Sequence, residues 1–255
     1  MATAPKLQLA LALSAASLGC SDPLRLGDDV VWSADQENGS LAAWTAGDSG
    51  GTRLPSSDCT VAVSSAAAHG GRASIELVNP AAWERMDEGP ELFHDVGAQV
   101  DAYYSAWFML KERYRIDPWL TLMQLSSRDS ETDGLHSAEQ LQLRSLPSGG
   151  YVLQVYNDNA GALLEPLSDP APQVEAARWF QIEARFEPHD AGRLRIWLDG
   201  ALIYDLGDRP GATGAHQVLS VSNVAEKSTP APLVLYVDDA AVSLSRVSPN
   251  GTLHD

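Results

Sequence analysis

Two short stretches place hydrogen-bonding side chains at every second residue. In one, Gln140, Gln142 and Arg144 alternate with Leu141 and Leu143; in the other, Gln154 and Tyr156 alternate with Leu153 and Val155. A period of two is that of a β-strand whose faces meet different surroundings. Amides and guanidinium groups in a row can bond the hydroxyls of a sugar, and Arg can fork onto a carboxylate. Arg185, Arg195 and Trp197 alternate along two further strands, where the indole offers an apolar plane to a pyranose. Gln140, Gln142, Arg144, Gln154, Tyr156, Arg185, Arg195 and Trp197 are therefore the candidate ligand-binding set, for a polysaccharide or oligosaccharide. The competing reading is a set of solvated outer faces, with Trp197 capping a small cluster.

The elements that would carry these residues are strands. In 178–205, Phe180, Ile182, Ala184 and Phe186 share one face, and Gln181, Glu183, Arg185 and Glu187 share the other. The second of these faces reads as solvated. After a turn over Pro188–Gly192, Leu194, Ile196 and Leu198 alternate with Arg195 and Trp197. Asp199-Gly200 suits the positive-φ pair of a tight hairpin, returning through Ala201–Asp205. Further strands are expected at Val30–Ala34, Thr60–Ser65, Ala73–Val78, Val100–Leu110, Trp119–Ser127, Glu139–Ser145, Tyr151–Asp158, Gln217–Val221 and Leu233–Ser243. Ala81–Gly89 suits a short helix or a loop. This spacing predicts an all-β sandwich of antiparallel sheets as a single domain over 30–247. Trp44, Trp83, Trp107, Trp119 and Trp179 are assigned to packing.

The chain has 255 residues and a formal net charge of −17. Such acidity excludes non-specific nucleic-acid binding, which needs Lys and Arg against phosphate. It admits an anionic polysaccharide only where basic residues cluster locally. Residues 1–19 read as an export signal: Lys6 is the sole charge, and the apolar run 7–18 is too short to span a bilayer. Ser17-Leu18-Gly19-Cys20 resembles a lipobox, which would lipidate Cys20 and make the lipid the only link to a membrane. Residues 20–29 would be a tether and 248–255 a tail. The expected location is the outer membrane or cell surface, or else the periplasm or medium. Lipidation of Cys20 would leave Cys59 over; a retained Cys20 thiol would allow a Cys20–Cys59 disulfide.

The opening ADQENGSLAAW, the middle WLTLMQLSS, the segment WFQIEARFEPHDAGRLRIWLDG and the close LVLYVDDAAVS together resemble the concanavalin A-like lectin/glucanase superfamily. The laminin-G-like domains and heparin-lyase-type polysaccharide lyases are the nearest groups within it. The resemblance implies a jelly roll of two curved antiparallel sheets, with a carbohydrate groove on the concave one. It also implies a place for a structural calcium between an acid near the first strand and one in the last; Glu37 and Asp238 occupy those places.

Lyases on this fold commonly carry Gln-x-His on a concave strand, and the matching tripeptide here is Gln124-Leu125-Ser126. The histidine is absent there, which leaves His94 or His216 as spatial substitutes. A lyase reading would use Tyr156 as acid/base, with Arg144 or Gln124 masking the uronate carboxylate so that the adjacent proton becomes acidic. Glycoside hydrolysis is disfavoured, because Glu183 and Glu187 stand too far apart along a strand for a retaining pair. The reading that follows is a non-catalytic carbohydrate-binding jelly roll. A uronate lyase is the alternative, and a structural envelope lipoprotein binding a protein partner is the third.

Overall fold

The computed structural model describes residues 29–45, 50–80, 89–98, 101–129, 136–168, 171–187, 192–209, 216–247 and 253–254. The expected export signal, Cys20 and most of the expected tether lie outside these residues, as do segment 81–88, Trp83 and residues 188–191 of the expected turn. Most of the tail lies outside as well.

Two antiparallel sheets of eight strands each face one another, which is the expected jelly-roll sandwich. The first sheet contains β1 (Val30–Ala34), β3 (Thr60–Ser64), β4 (Ser74–Asn79), β6 (Ala102–Leu110), β13 (Phe180–Phe186), β14 (Gly192–Leu198), β15 (Ala201–Arg209) and β18 (Leu233–Ser243). The second contains β2 (Gly50–Arg53), β5 (Glu91–Ala98), β8 (Leu120–Arg128), β9 (His136–Ser145), β10 (Tyr151–Asn157), β11 (Ala162–Leu164), β12 (Gln173–Val174) and β16 (His216–Ala225). Two small ribbons flank them: β7 (Arg115–Ile116) with β17 (Ser228–Thr229), and β19 (Arg246–Val247) with β20 (Leu253–His254). A single-turn helix, α1 (Ala42–Thr45), buries Trp44 completely.

Alternation explains the core. From the first sheet, Phe108, Phe180, Ile182, Ile196, Leu235 and Val237 point inward; from the second, Met123, Leu125, Leu141, Leu143, Leu153, Val155, Leu219 and Val221 meet them. Each fully buried side chain of this size contributes about 1.5–3 kcal/mol, so the inter-sheet layer dominates the folding energy. The expected hairpin forms at Asp199 and Gly200, whose φ angles are 49° and 80°, the combination a two-residue turn of matching twist requires.

Two expectations change. The Gln181–Glu183 face of β13 is not solvated: both residues are 1% exposed. The C-terminal ribbon lies over them. Glu183 accepts Arg246 Nε at 2.9 Å and the Val247 amide at 2.5 Å, while Gln181 Nε2 donates to the Val247 carbonyl at 3.0 Å. Strands β2 and β5 were missed, because Gly50-Gly51-Thr52-Arg53 and the mixed run from Glu91 to Ala98 carry no alternation. Gly50 is required where it stands: a Cβ there would lie 1.9 Å from the Trp44 carbonyl oxygen. Cys59 is buried and has no disulfide partner among the described residues, which do not include Cys20.

Leu235→Ala should cost about 2–5 kcal/mol by opening a cavity between the sheets. Denaturant titration should show a lower midpoint at constant slope, whereas the exposed Leu202→Ala should leave the midpoint nearly unchanged.

Candidate functional site

The outward face of the second sheet carries a groove of about 850 Å³. Its floor comes from the polar parity of three adjacent strands. Gln140 pairs across to Gln124 on β8 and Tyr156 on β10, and Gln142 pairs to Thr121 and Gln154. Their apolar neighbours Leu141, Leu143, Leu153 and Val155 are committed to the core, so these polar side chains have only the outer face available.

The floor is held by its own hydrogen bonds. Gln154 Nε2 donates to Gln142 Oε1 at 3.1 Å, and Gln142 Nε2 donates to Gln140 Oε1 at 2.9 Å. Thr121 Oγ1 donates to the same Gln140 oxygen at 3.1 Å, and Gln140 Nε2 donates to both Asp158 oxygens at 2.9 and 3.0 Å. This chain orients the amide dipoles before any ligand arrives and limits the side-chain entropy lost on binding. Gln142 is 3% exposed and serves the network more than the surface.

Trp119, Pro118 and Leu163 give the groove apolar margins. Glu91 and Arg53 close one side, with Arg53 Nη1 donating to Glu91 Oε2 at 2.9 Å. Burial raises the Glu91 carboxyl above its ordinary value, against Arg53 and Ser220, which lower it.

The structure brings together Gln124, Gln140, Gln142, Arg144, Gln154 and Tyr156. It separates Arg185, Arg195 and Trp197 from them. Those three lie on β13 and β14 of the first sheet, on the parity that faces away from the core. Arg185 forks onto Asp101 at 2.9 and 2.6 Å, and Arg195 lies near Glu187 and Asp205. Trp197 is 7% exposed beneath the Arg246 guanidinium, 4.4 Å from its ring centre. A covered indole has no face left for a sugar, so Trp197 packs instead. Parity revealed that these residues were polar-side, but not on which sheet.

The histidines do not complete a lyase site in the groove. His94 has the parity of Leu92, toward the core, and stacks on Trp32 with ring centres 4.3 Å apart; burial lowers its pKa, against Asp95, which raises it. His216 contacts Asp95, which Arg128 also binds, at the far end of the sheet. Neither His94 nor His216 is among the groove-lining residues. Trp119, Glu91, Arg53 and Asp158 were missed. Trp119, grouped above with the packing tryptophans, instead has a half-buried side chain that lines the groove.

Glu37 and Asp238 meet one turn from two sides. Glu37 Oε1 accepts the amides of Arg72 and Ala73 at 2.8 and 3.0 Å. Asp238 Oδ2 accepts those of His69 and Gly70 at 2.8 and 3.4 Å. Burial, with Asp239 alongside, pushes the Asp238 carboxyl up to about 8. Among the described residues no group of three or more His, Cys, Asp or Glu is placed to hold a metal. An ion held by Glu37 and Asp238 would therefore draw its other ligands from main-chain oxygens or water, donors that suit calcium. Asp238 pairs with Trp107 on the outer side of the first sheet, so this place is across the sandwich from the groove.

No protein-family model matches the chain, and neither does any curated protein. Solved structures do. The endo-β-1,4-glucuronan lyase of the fungus Trichoderma reesei is similar with a TM-score of 0.66 at 15% identity, covering 88% of this chain and all of the lyase. The cellulose-induced protein Cip1 has a TM-score of 0.56 at 19% identity, over 85% of this chain and 98% of its own. An alginate lyase has a TM-score of 0.50 at 9% identity, over 68% and 81%. What this chain shares with them is the fold, a two-sheet antiparallel jelly roll.

Proposed function

We propose that the protein binds a polysaccharide along the groove of the second sheet, without cleaving it. The observation that carries this reading is the pre-ordered amide floor from Gln154 to Asp158, beside Trp119 and Tyr156. Amides meet sugar hydroxyls and the indole meets the apolar ring face. The likeness to a glucuronan lyase and an alginate lyase supports the same ligand class. In affinity electrophoresis against a panel of polysaccharides, at least one should retard the protein. Trp119→Ala and Gln154→Ala should each weaken that retardation by about tenfold, equivalent to roughly 1.4 kcal/mol, while Trp197→Ala should not. Retardation by no polysaccharide would remove the reading.

A second reading is β-elimination on a uronate polymer. It is favoured by the gathering of Gln124, Arg144 and Tyr156 in one groove, beneath a fold shared with two lyases. Arg144 or Gln124 would mask the carboxylate and Tyr156 would carry the proton. Ultraviolet absorbance of an unsaturated uronate, abolished in Tyr156→Phe, would establish it over the binding-only reading.

Glu37 and Asp238 are proposed as the protein ligands of a structural calcium that ties the first and last strands to the turn after β3. The sign of its pH dependence follows from Asp238. A carboxyl raised to about 8 contributes stability fully below its unfolded value, and that contribution is lost as pH rises through about 8. Calcium needs the ionised form, so its stabilisation should grow over the same rise. Calcium should raise the Tm of the protein more at high pH, and should leave Asp238→Asn unchanged. An unchanged Tm in the parent protein would remove the ion.

Export through residues 1–19 and lipidation at Cys20 remain part of this proposal. Palmitate labelling should be lost in Cys20→Ser.

A further inference from the structure

Beside the groove lies a second cleft of about 700 Å³, lined by Arg113, Arg115, Asp117, Pro118, Arg144 and the turn from Ser145 to Gly150. Pro118 and Arg144 line both spaces, so the two adjoin. The chain as a whole carries a charge of −17, with 34 acidic residues against 17 basic. Finding Arg113, Arg115 and Arg144 around one cleft is therefore a local reversal of sign.

The other described arginines on the two sheets are largely spent on carboxylates: Arg53 on Glu91, Arg128 on Asp95, Arg185 on Asp101, Arg193 on Asp205. Among the described residues no carboxylate forms an ion pair with Arg113 or Arg144, and the nearest acid to Arg115 is Asp117 at 3.9 Å. Arg115 is also largely exposed, at 81% for its side chain.

The segment that bears these residues is firmly held. The Tyr114 amide donates to Tyr151 Oη at 2.7 Å, and that hydroxyl donates back to the Tyr114 carbonyl at 2.9 Å. The Ile116 amide donates to Ser145 Oγ at 2.8 Å, and β7 pairs with β17. Tyr114 itself is 2% exposed. On the facing hairpin, Gly149 has φ +90° and lies against Arg113; a Cβ there would fall 2.3 Å from its Nη2. Fixed backbone on both sides sets the positions from which Arg113, Arg115 and Arg144 line the cleft.

We infer that this cleft is an anion subsite that extends the groove, taking a carboxylate or sulfate substituent of the bound polysaccharide while the amide floor takes its hydroxyls. The inference rests on the groove reading and adds the ligand's charge and the place where it is read. Guanidinium forks suit planar carboxylate and tetrahedral sulfate alike. Arg144 stands at the junction, within reach of both spaces.

The test uses the whole protein, with a uronate polymer, the same polymer after carboxyl reduction, and a sulfated polymer. The uronate or the sulfated polymer should bind at least about tenfold more tightly than the neutral form. The double variant Arg113→Gln/Arg115→Gln should lose that difference and much of the salt dependence, yet bind the neutral form as before. Whichever anionic polymer responds identifies the substituent. Equal affinity for charged and neutral forms, or a double variant with unchanged preference, would overturn the subsite while the groove stands. Binding of no polymer would overturn both. Unchanged binding of the neutral form in the double variant also shows that it is folded.

Discussion

The burial of two inner sheet faces against each other is the constraint from which the rest of the molecule follows. Once Leu141, Leu143, Leu153 and Val155 are committed to the layer between the sheets, strand geometry forces Gln140, Gln142, Arg144, Gln154 and Tyr156 to the other side. The groove floor is the unavoidable complement of the core. A one-residue slip of β9 would bury the amides and expose the leucines, so the hydrophobic layer also fixes the register of the site.

The two outer faces of the sandwich meet different fates. On the second sheet the polar parity stays open as a groove, ordered by its own amide network. On the first sheet the same parity is largely consumed. The ribbon through Arg246 and Val247 covers Gln181, Glu183 and Trp197, and His69 stacks on Trp107 with ring centres 3.5 Å apart. Burial of Glu183 raises its pKa, while Arg246 and the Val247 amide lower it; the carboxylate needs both partners because it has left water. One sheet thus keeps its outer face open as a groove, and the other is covered by the ribbon through Arg246 and Val247.

Charge follows the same division. Acidic residues outnumber basic ones two to one, and most of the described arginines serve internal ion pairs. Arg113 and Arg144, which have no such pair among the described residues, line the cleft beside the groove together with the loosely paired Arg115. An acidic surface with one basic cleft would disfavour anionic chains everywhere except where they dock, which sharpens orientation more than raw affinity.

The sequence by itself determined the strands with strict alternation, the Asp199-Gly200 hairpin and the polar parity of Gln140, Gln142, Arg144, Gln154 and Tyr156. In each case the signal is local: period two, or a residue pair suited to positive φ. Gln124, and the lack of a histidine two residues on, stand out only against the lyase pattern that the chain resembles. Strands β2 and β5 were invisible, since glycine and mixed runs show no period, and with them went Arg53 and Glu91. Tertiary structure alone decided which polar face stays open. Arg185, Arg195 and Trp197 have the same parity signal as the groove residues, yet they lie across the sandwich, the two arginines facing carboxylates and Trp197 beneath Arg246. Alternation distinguishes the two faces of a strand, but whether an outer face meets water, a ligand or the returning chain depends on segments distant in sequence.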